Sequence, residues 1–180
     1  MLKEALQSLR TAERPVLVYG AGIRLAGAAD EARELARLLG VPAAPTWGAR
    51  DLLPALSDVL CVGGFGTHGT RAANFAVQNA DWILSVGSRL DSKATGTPRD
   101  YFARAAAVFM VDIDPAEIRK FGGTLGRVFC GVQADARMFL RDMIAEVRRG
   151  GSWPNFGAWL MQCAEWRRRY PACRPEYEAE

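Results

Sequence analysis

Residues 15–40 read Pro15-Val16-Leu17-Val18-Tyr19-Gly20-Ala21-Gly22-Ile23-Arg24-Leu25-Ala26-Gly27-Ala28-Ala29-Asp30-Glu31-Ala32-Arg33-Glu34-Leu35-Ala36-Arg37-Leu38-Leu39-Gly40. The first five form a short, β-branched-rich run, which predicts a strand ended by Gly20-Ala21-Gly22. Beyond it Leu25, Ala28, Ala32, Leu35, Ala36 and Leu39 recur at three- and four-residue steps, the period of one helix face. Asp30, Glu31, Arg33, Glu34 and Arg37 fill the other face, and Gly40 with Pro42 behind it stops the helix. This is a strand, a glycine turn and an amphipathic helix.

The same unit recurs along the chain. Strands are predicted near 15–20, 42–46, 59–62, 82–86, 107–112 and 127–130. Val59-Leu60-Cys61-Val62 runs into Gly63-Gly64-Phe65-Gly66-Thr67-His68-Gly69, with a helix over Thr70–Asn79. Trp82–Val86 ends in Gly87-Ser88-Arg89, and Ala107–Val111 ends in Asp112-Ile113-Asp114-Pro115, with Pro115 placed to open a short helix. Asp135 is a good N-cap for a helix carrying Ala136, Leu140, Met143, Ile144 and Val147 on one face, which Gly150-Gly151 ends. Strands apolar on both faces, alternating with helices, predict a doubly wound α/β domain. It would be a six-stranded parallel sheet covered on both sides, of Rossmann-like type.

After Gly151 the composition shifts. Trp153, Phe156, Trp159 and Trp166 crowd into 14 residues ahead of Arg167-Arg168-Arg169, predicting a helix over roughly Asn155–Arg169 and an extended tail. Residues 1–150 thus read as the α/β domain and 151–180 as a helix and linker. Packing or docking explains that aromatic, Arg-rich helix better than a nucleic-acid face does.

Composition narrows the classes. With 180 residues, 49% apolar and 24% charged, the chain has room for one ordinary globular domain and not for two. No apolar run approaches the roughly 18–20 residues a membrane span needs. Met1-Leu2-Lys3-Glu4 places acid and base ahead of any apolar block, so a cytoplasmic protein without signal peptide is expected. The net charge of +3 is too mild to invoke nucleic acid. Cys61, Cys130, Cys163 and Cys173 contain no C-x-x-C pair, which argues against a zinc or thioredoxin-like site. Cys61 and Cys130 sit in apolar runs and are expected to be buried and inert. His68 is the only histidine, so any histidine mechanism must pass through it.

In a doubly wound sheet, ligands bind beyond the carboxyl ends of the strands. Every glycine cluster above lies at such an end. Gly20-Ala21-Gly22 lets backbone amides approach a ligand, although Leu25 replaces the third glycine of the dinucleotide fingerprint and tight strand–helix packing explains the pair equally well. Arg89 suits a phosphate or flavin, or a surface ion pair. Asp112 and Asp114 suit a ribose, or a helix cap. The four clusters together point to a nucleotide or dinucleotide.

These residues also resemble a family, the central domain of thiamine-diphosphate-dependent enzymes of the acetolactate synthase and pyruvate oxidase group. The segment Gly66-Thr67-His68-Gly69-Thr70-Arg71-Ala72-Ala73-Asn74-Phe75-Ala76-Val77 is similar to its glycine–histidine loop. Asp81–Asp91 resembles its arginine turn, and Val111-Asp112-Ile113-Asp114-Pro115-Ala116-Glu117-Ile118 its fifth strand end. The resemblance covers residues 15–147 and implies a DHS-like NAD/FAD-binding fold holding FAD or an ADP-like nucleotide. The implied contacts are Gly20, Gly22, Thr46, Trp47, Thr67, His68, Gly87, Ser88, Arg89, Asp112, Ile113 and Asp135. Lys93 stands where flavin-binding members carry an arginine, and Gly131-Val132-Gln133-Ala134 lengthens their glycine–aspartate step. The resemblance further implies partner catalytic domains that bind thiamine diphosphate and Mg²⁺, a homo-oligomer, and a tail Trp159…Pro171 leading to a third domain. No Gly-Asp-Gly of the thiamine site occurs in this sequence, so the chain is expected to be non-catalytic alone. A free-standing nucleotide-binding module and a structural domain with a vestigial pocket stay open as alternatives.

Overall fold

The computed structural model describes residues 1–53, 59–122 and 125–173. The chain opens with α1 (Leu2–Leu9) and continues through β1 (Pro15–Tyr19), α2 (Ala21–Leu25), α3 (Ala29–Leu39) and β2 (Ala43–Pro45). A 3-10 turn spans Trp47–Leu52. Then follow α4 (Arg71–Asn79), β3 (Trp82–Val86), α5 (Ser92–Thr95), β4 (Ala107–Asp112), α6 (Pro115–Arg119), β5 (Val128–Gln133), α7 (Ala136–Arg149) and α8 (Gly157–Arg169). Pro175 and the rest of the expected tail beyond residue 173 lie outside the described residues.

Every pairing is parallel, in the order β2-β1-β3-β4-β5. Alternation along the central strands splits the core into two layers. Leu17, Tyr19, Trp82, Leu84, Val86, Phe109 and Val111 face one side, under α1, α3 and α7. Val16, Val18, Ile83, Val108 and Met110 face the other, under α4 and α8. The buried aromatics place their polar tips on backbone carbonyls: Tyr19 Oη donates to Ala32 O at 2.8 Å, Trp82 Nε1 to Ala5 O at 3.0 Å and Trp159 Nε1 to Pro15 O at 3.0 Å. Burial pushes the Tyr19 phenol up.

Four expectations are corrected. Among the described residues the sheet has five strands, not six. The segment 59–62 does lie beside β2, but it makes a single bridge, Ala43↔Cys61, with Ala43 N donating to Leu60 O and Val62 N to Ala43 O. The next rung needs an N–H from residue 45, which is proline, so Val62 O instead accepts from the Thr70 hydroxyl at 3.2 Å. The helix predicted through Leu25 is broken at Gly27, which is left-handed at φ +63°, so Leu25 points outward at 88% exposure while Ala28 to Leu39 keep the buried face. The C-terminal helix starts at Gly157, where Asn155 Oδ1 accepts from the Gly157 N–H. Cys61 and Cys130 are half-buried at the sheet margins. Cys163 is the buried thiol, pushed up to about 12 by desolvation.

Candidate functional site

The strand order reverses between β1 and β3, and at such a point the loops leave to opposite faces and open a crevice at the carboxyl edge. A cleft of about 1000 Å³ lies there, large enough for a cofactor-sized ligand. It is lined from Leu25, the 46–50 turn and His68 on one side to Arg89, Asp112, Glu117 and Asp135 on the other. Ten of the twelve implied contact residues line it. Gly20 and Thr67 do not.

Backbone packing explains the first glycine cluster. A Cβ on Gly20 would sit 2.1 Å from Gly87 O, and one on Gly22 would sit 2.8 Å from Gly87 Cα. Gly87 is itself left-handed at φ +58°. The Gly20 N–H donates to Val86 O and the Gly22 N–H to Gly87 O, both at 3.0 Å. These amides therefore stitch β1 to β3 within the fold, and α2 behind them is only five residues long.

The glycine–histidine loop is pinned from both ends. Gly66, at φ +98°, approaches the 91–95 turn so closely that a Cβ would meet Lys93 O at 2.4 Å. The Thr67 N–H donates to the same carbonyl at 2.8 Å, and its hydroxyl also donates to it, which turns Thr67 away from the cleft. The Asn74 side chain clasps Gly66, accepting from its N–H at 2.8 Å and donating to its carbonyl at 3.1 Å. This holds His68 edge-on to Trp47, with ring centroids 5.7 Å apart.

Carboxylates gather at the ends of β4 and β5. Asp114 caps α6, accepting from Ala116 N–H at 2.8 Å, and Asp135 caps α7, accepting from Arg137 and Met138 N–H. Asp112 differs. Only 6% exposed, it accepts from Asp114 N–H through Oδ1 at 3.0 Å, while Oδ2 has no hydrogen-bond partner. A buried acceptor without a donor is rare and calls for one. Beside it Ile113 is 68% exposed, as Trp47 is at 69% across the cleft.

Arg89 is already paired. Its Nε and a terminal nitrogen donate to Glu117 Oε1 at 3.1 and 2.7 Å, and Lys120 bonds both Glu117 and the Arg89 carbonyl. Lys120 first, and Arg89 next, hold the Glu117 carboxyl below its ordinary range. Arg89 and Leu90 both take positive φ, 59° and 44°, a strained pair anchored by the buried Leu90 side chain. Sequence reasoning missed Arg50, which lines the cleft with its guanidinium 5.9 Å from the Trp47 ring, and Leu25, taken for a core position. The signal for Arg50 was its place three residues beyond Trp47, one turn of the short helix. Among the described residues no group of three His, Cys, Asp or Glu is placed to hold a metal ion, and no helix is long and apolar enough to cross a membrane.

Residues 2–143 match the family model described as thiamine pyrophosphate enzyme, central domain. The chain belongs to this family. This central domain is 36% identical to a probable acetolactate synthase large subunit of Methanocaldococcus jannaschii over 144 residues, covering 80% of the chain and 23% of the relative. Against the acetolactate synthase large subunit of Parasynechococcus marenigrum it is 36% identical over 174 residues, 97% of the chain and 27% of the relative. Against acetolactate synthase 1, chloroplastic, of Zea mays it is 33% identical over 173 residues, 95% and 26%. The central domain thus spans about a quarter of the length of these relatives.

Proposed function

We propose that this central domain holds FAD or an ADP-like nucleotide across the carboxyl edge of a Rossmann-like sheet. It would do so inside a larger acetolactate-synthase-like enzyme acting on 2-oxo acids. The observation that carries the reading is the orphaned Asp112 Oδ2, buried at the cleft wall where a ribose hydroxyl would supply the missing donor. The exposed faces of Trp47, Leu25 and Ile113 fit the same ligand, because a planar ring would cover apolar surface that otherwise stays in water. Asp112 and Ile113 would hold the nucleoside, and the loop carrying His68 would wall the far side. Bound FAD would supply a planar redox-active ring. The residues here bind and orient.

In this reading the chain alone performs no carboligation. Thiamine diphosphate and Mg²⁺ would sit in partner catalytic domains of a cytoplasmic homo-oligomer, with residues 151–180 leading from the 1–150 domain toward them. One set of observations favours a structural role with a vestigial pocket: the Gly20 and Gly22 amides and the Arg89 guanidinium all have partners within the fold. Calorimetry with ADP, and flavin absorbance retained after desalting from FAD, separate the two. Binding of either ligand supports the nucleotide cleft. No binding of either at millimolar concentration favours the vestigial pocket. Turnover of pyruvate by the pure chain with thiamine diphosphate and Mg²⁺ would overturn the non-catalytic reading.

A further inference from the structure

Three cationic side chains of different standing line the cleft: Arg89, Lys93 and Arg50. Arg89 commits its Nε and one terminal nitrogen to Glu117, so it can offer a ligand only its other terminal nitrogen unless it leaves that half-buried carboxylate with Lys120 alone. Lys93 is a single ammonium on a flexible stem. Arg50 is placed differently. Its turn is seated firmly, with Ala49 and Leu52 buried and Gly48 close enough to α2 that a Cβ would meet Ala21 Cβ at 3.4 Å. The stem of Arg50 lies along Gly64, where a Cβ would come within 3.7 Å of Arg50 Cδ and Nε. The adjacent carboxylate, Asp51, is taken by Arg24. Among the described residues no carboxylate stands within ion-pair distance of Arg50.

We infer that Arg50 is the cation that holds the anionic group of the cleft's ligand, a contact that rests on the nucleotide reading above. The cleft is sorted by charge. Acceptors for hydroxyl groups cluster at the ends of β4 and β5, while the Arg50 guanidinium, without a carboxylate partner among the described residues, stands at the end of β2. Three strand spacings, about 14 Å, separate β2 from β4. A ligand touching both Asp112 and Arg50 must therefore be extended and carry its negative charge away from the sugar, as a nucleoside diphosphate or a diphosphate-bridged dinucleotide does. The planar guanidinium fork matches two phosphate oxygens, and the exposed Trp47 face beside it offers a stacking surface.

The test is calorimetry of the full chain with ADP and with adenosine, on the wild type, Arg50→Gln, Arg50→Lys and Arg89→Gln. Arg50→Gln is expected to weaken ADP binding about tenfold or more, the loss of a charge-assisted contact. Adenosine binding should stay within twofold, and the melting temperature should not change, because Arg50 is exposed. Arg50→Lys should recover part of the loss. Unchanged ADP affinity in Arg50→Gln, or an equal or larger loss in Arg89→Gln, overturns the assignment while leaving the nucleotide reading intact. If the wild type binds adenosine but gains nothing from the diphosphate of ADP, the assignment also falls. Absence of any ADP or adenosine binding overturns the nucleotide reading, and this inference with it.

Discussion

Asp112→Asn separates a ligand-waiting carboxylate from a merely structural one, because the two roles give opposite signs. The substitution keeps Oδ1 as acceptor for the Asp114 N–H at 3.0 Å and replaces the orphaned Oδ2 with a neutral amide. A buried polar atom without a partner costs about 1–3 kcal/mol, and a charged one lies at the upper end. Without ligand, Asp112→Asn is therefore expected to leave stability unchanged or raise it by about 1 kcal/mol. With ligand the sign reverses. A hydrogen bond to a charged group contributes about 1.5–3 kcal/mol and a neutral one about 0.5–1.5, so the exchange removes about 1–1.5 kcal/mol, roughly five- to tenfold in Kd. Urea unfolding of the unliganded chain reads the first effect and ADP calorimetry the second. A variant destabilised by more than about 1 kcal/mol with ADP affinity unchanged would refute the reasoning, making Asp112 a turn-former for residues 112–114.

Other expectations test the frame around the cleft. Gly20→Ala forces a Cβ to 2.1 Å from Gly87 O and strains the Gly20–Val86 and Gly22–Gly87 hydrogen bonds, so urea unfolding should show a loss of about 2–5 kcal/mol. A change under about 0.5 kcal/mol would show that β1 and β3 part freely there. Trp159→Ala deletes a buried indole on α8 and its bond to Pro15 O, and should cost about 3–5 kcal/mol by denaturant titration. A loss below about 1 kcal/mol would mean that α8 is a detachable linker and not a layer of the fold. Glu117 has its pKa lowered in the folded state, chiefly by Lys120 and then Arg89, so its contribution is present above the ordinary carboxyl range and lost as pH falls through the lowered value. Glu117→Gln should accordingly melt below the wild type at neutral pH, with the gap closing in acid. A gap independent of pH would place the effect outside the ion pair.

The central fold was legible because its signals are local and redundant. β1, β3 and β4 are apolar on both faces and end in glycine or aspartate, and each forms within a residue of its expected bounds. Helix caps were equally readable, since Asp114, Asp135 and Gly40 act on their own neighbours. The misses have non-local or one-residue causes. Pro45 removes one N–H and so ends the pairing of 59–62, an effect visible only once the register is known. Gly27 breaks a periodicity that Leu25 otherwise completes, which turns a core position into part of the cleft rim.

The site was legible as an address and not as chemistry. Strand ends in a parallel sheet must share one edge, so the motifs meet there whatever binds. Which atoms face a ligand depends on what each is already bonded to, and that is settled by residues far away in sequence. Gly22 is a ligand-type glycine by motif, yet its N–H and its missing Cβ both answer to Gly87, 65 positions on. Arg89 is a phosphate-type arginine by position, yet Glu117 holds it. Arg50 belongs to no motif, and among the described residues it has no carboxylate partner, its neighbour Asp51 being paired with Arg24 from another element. Residue type sets what a side chain can do, while its partners decide whether it is free to do it. Among the described residues of this cleft, Asp112 Oδ2 and the Arg50 guanidinium are the groups that the fold's own bonding leaves over, and on the proposed reading they are the ones a ligand would meet.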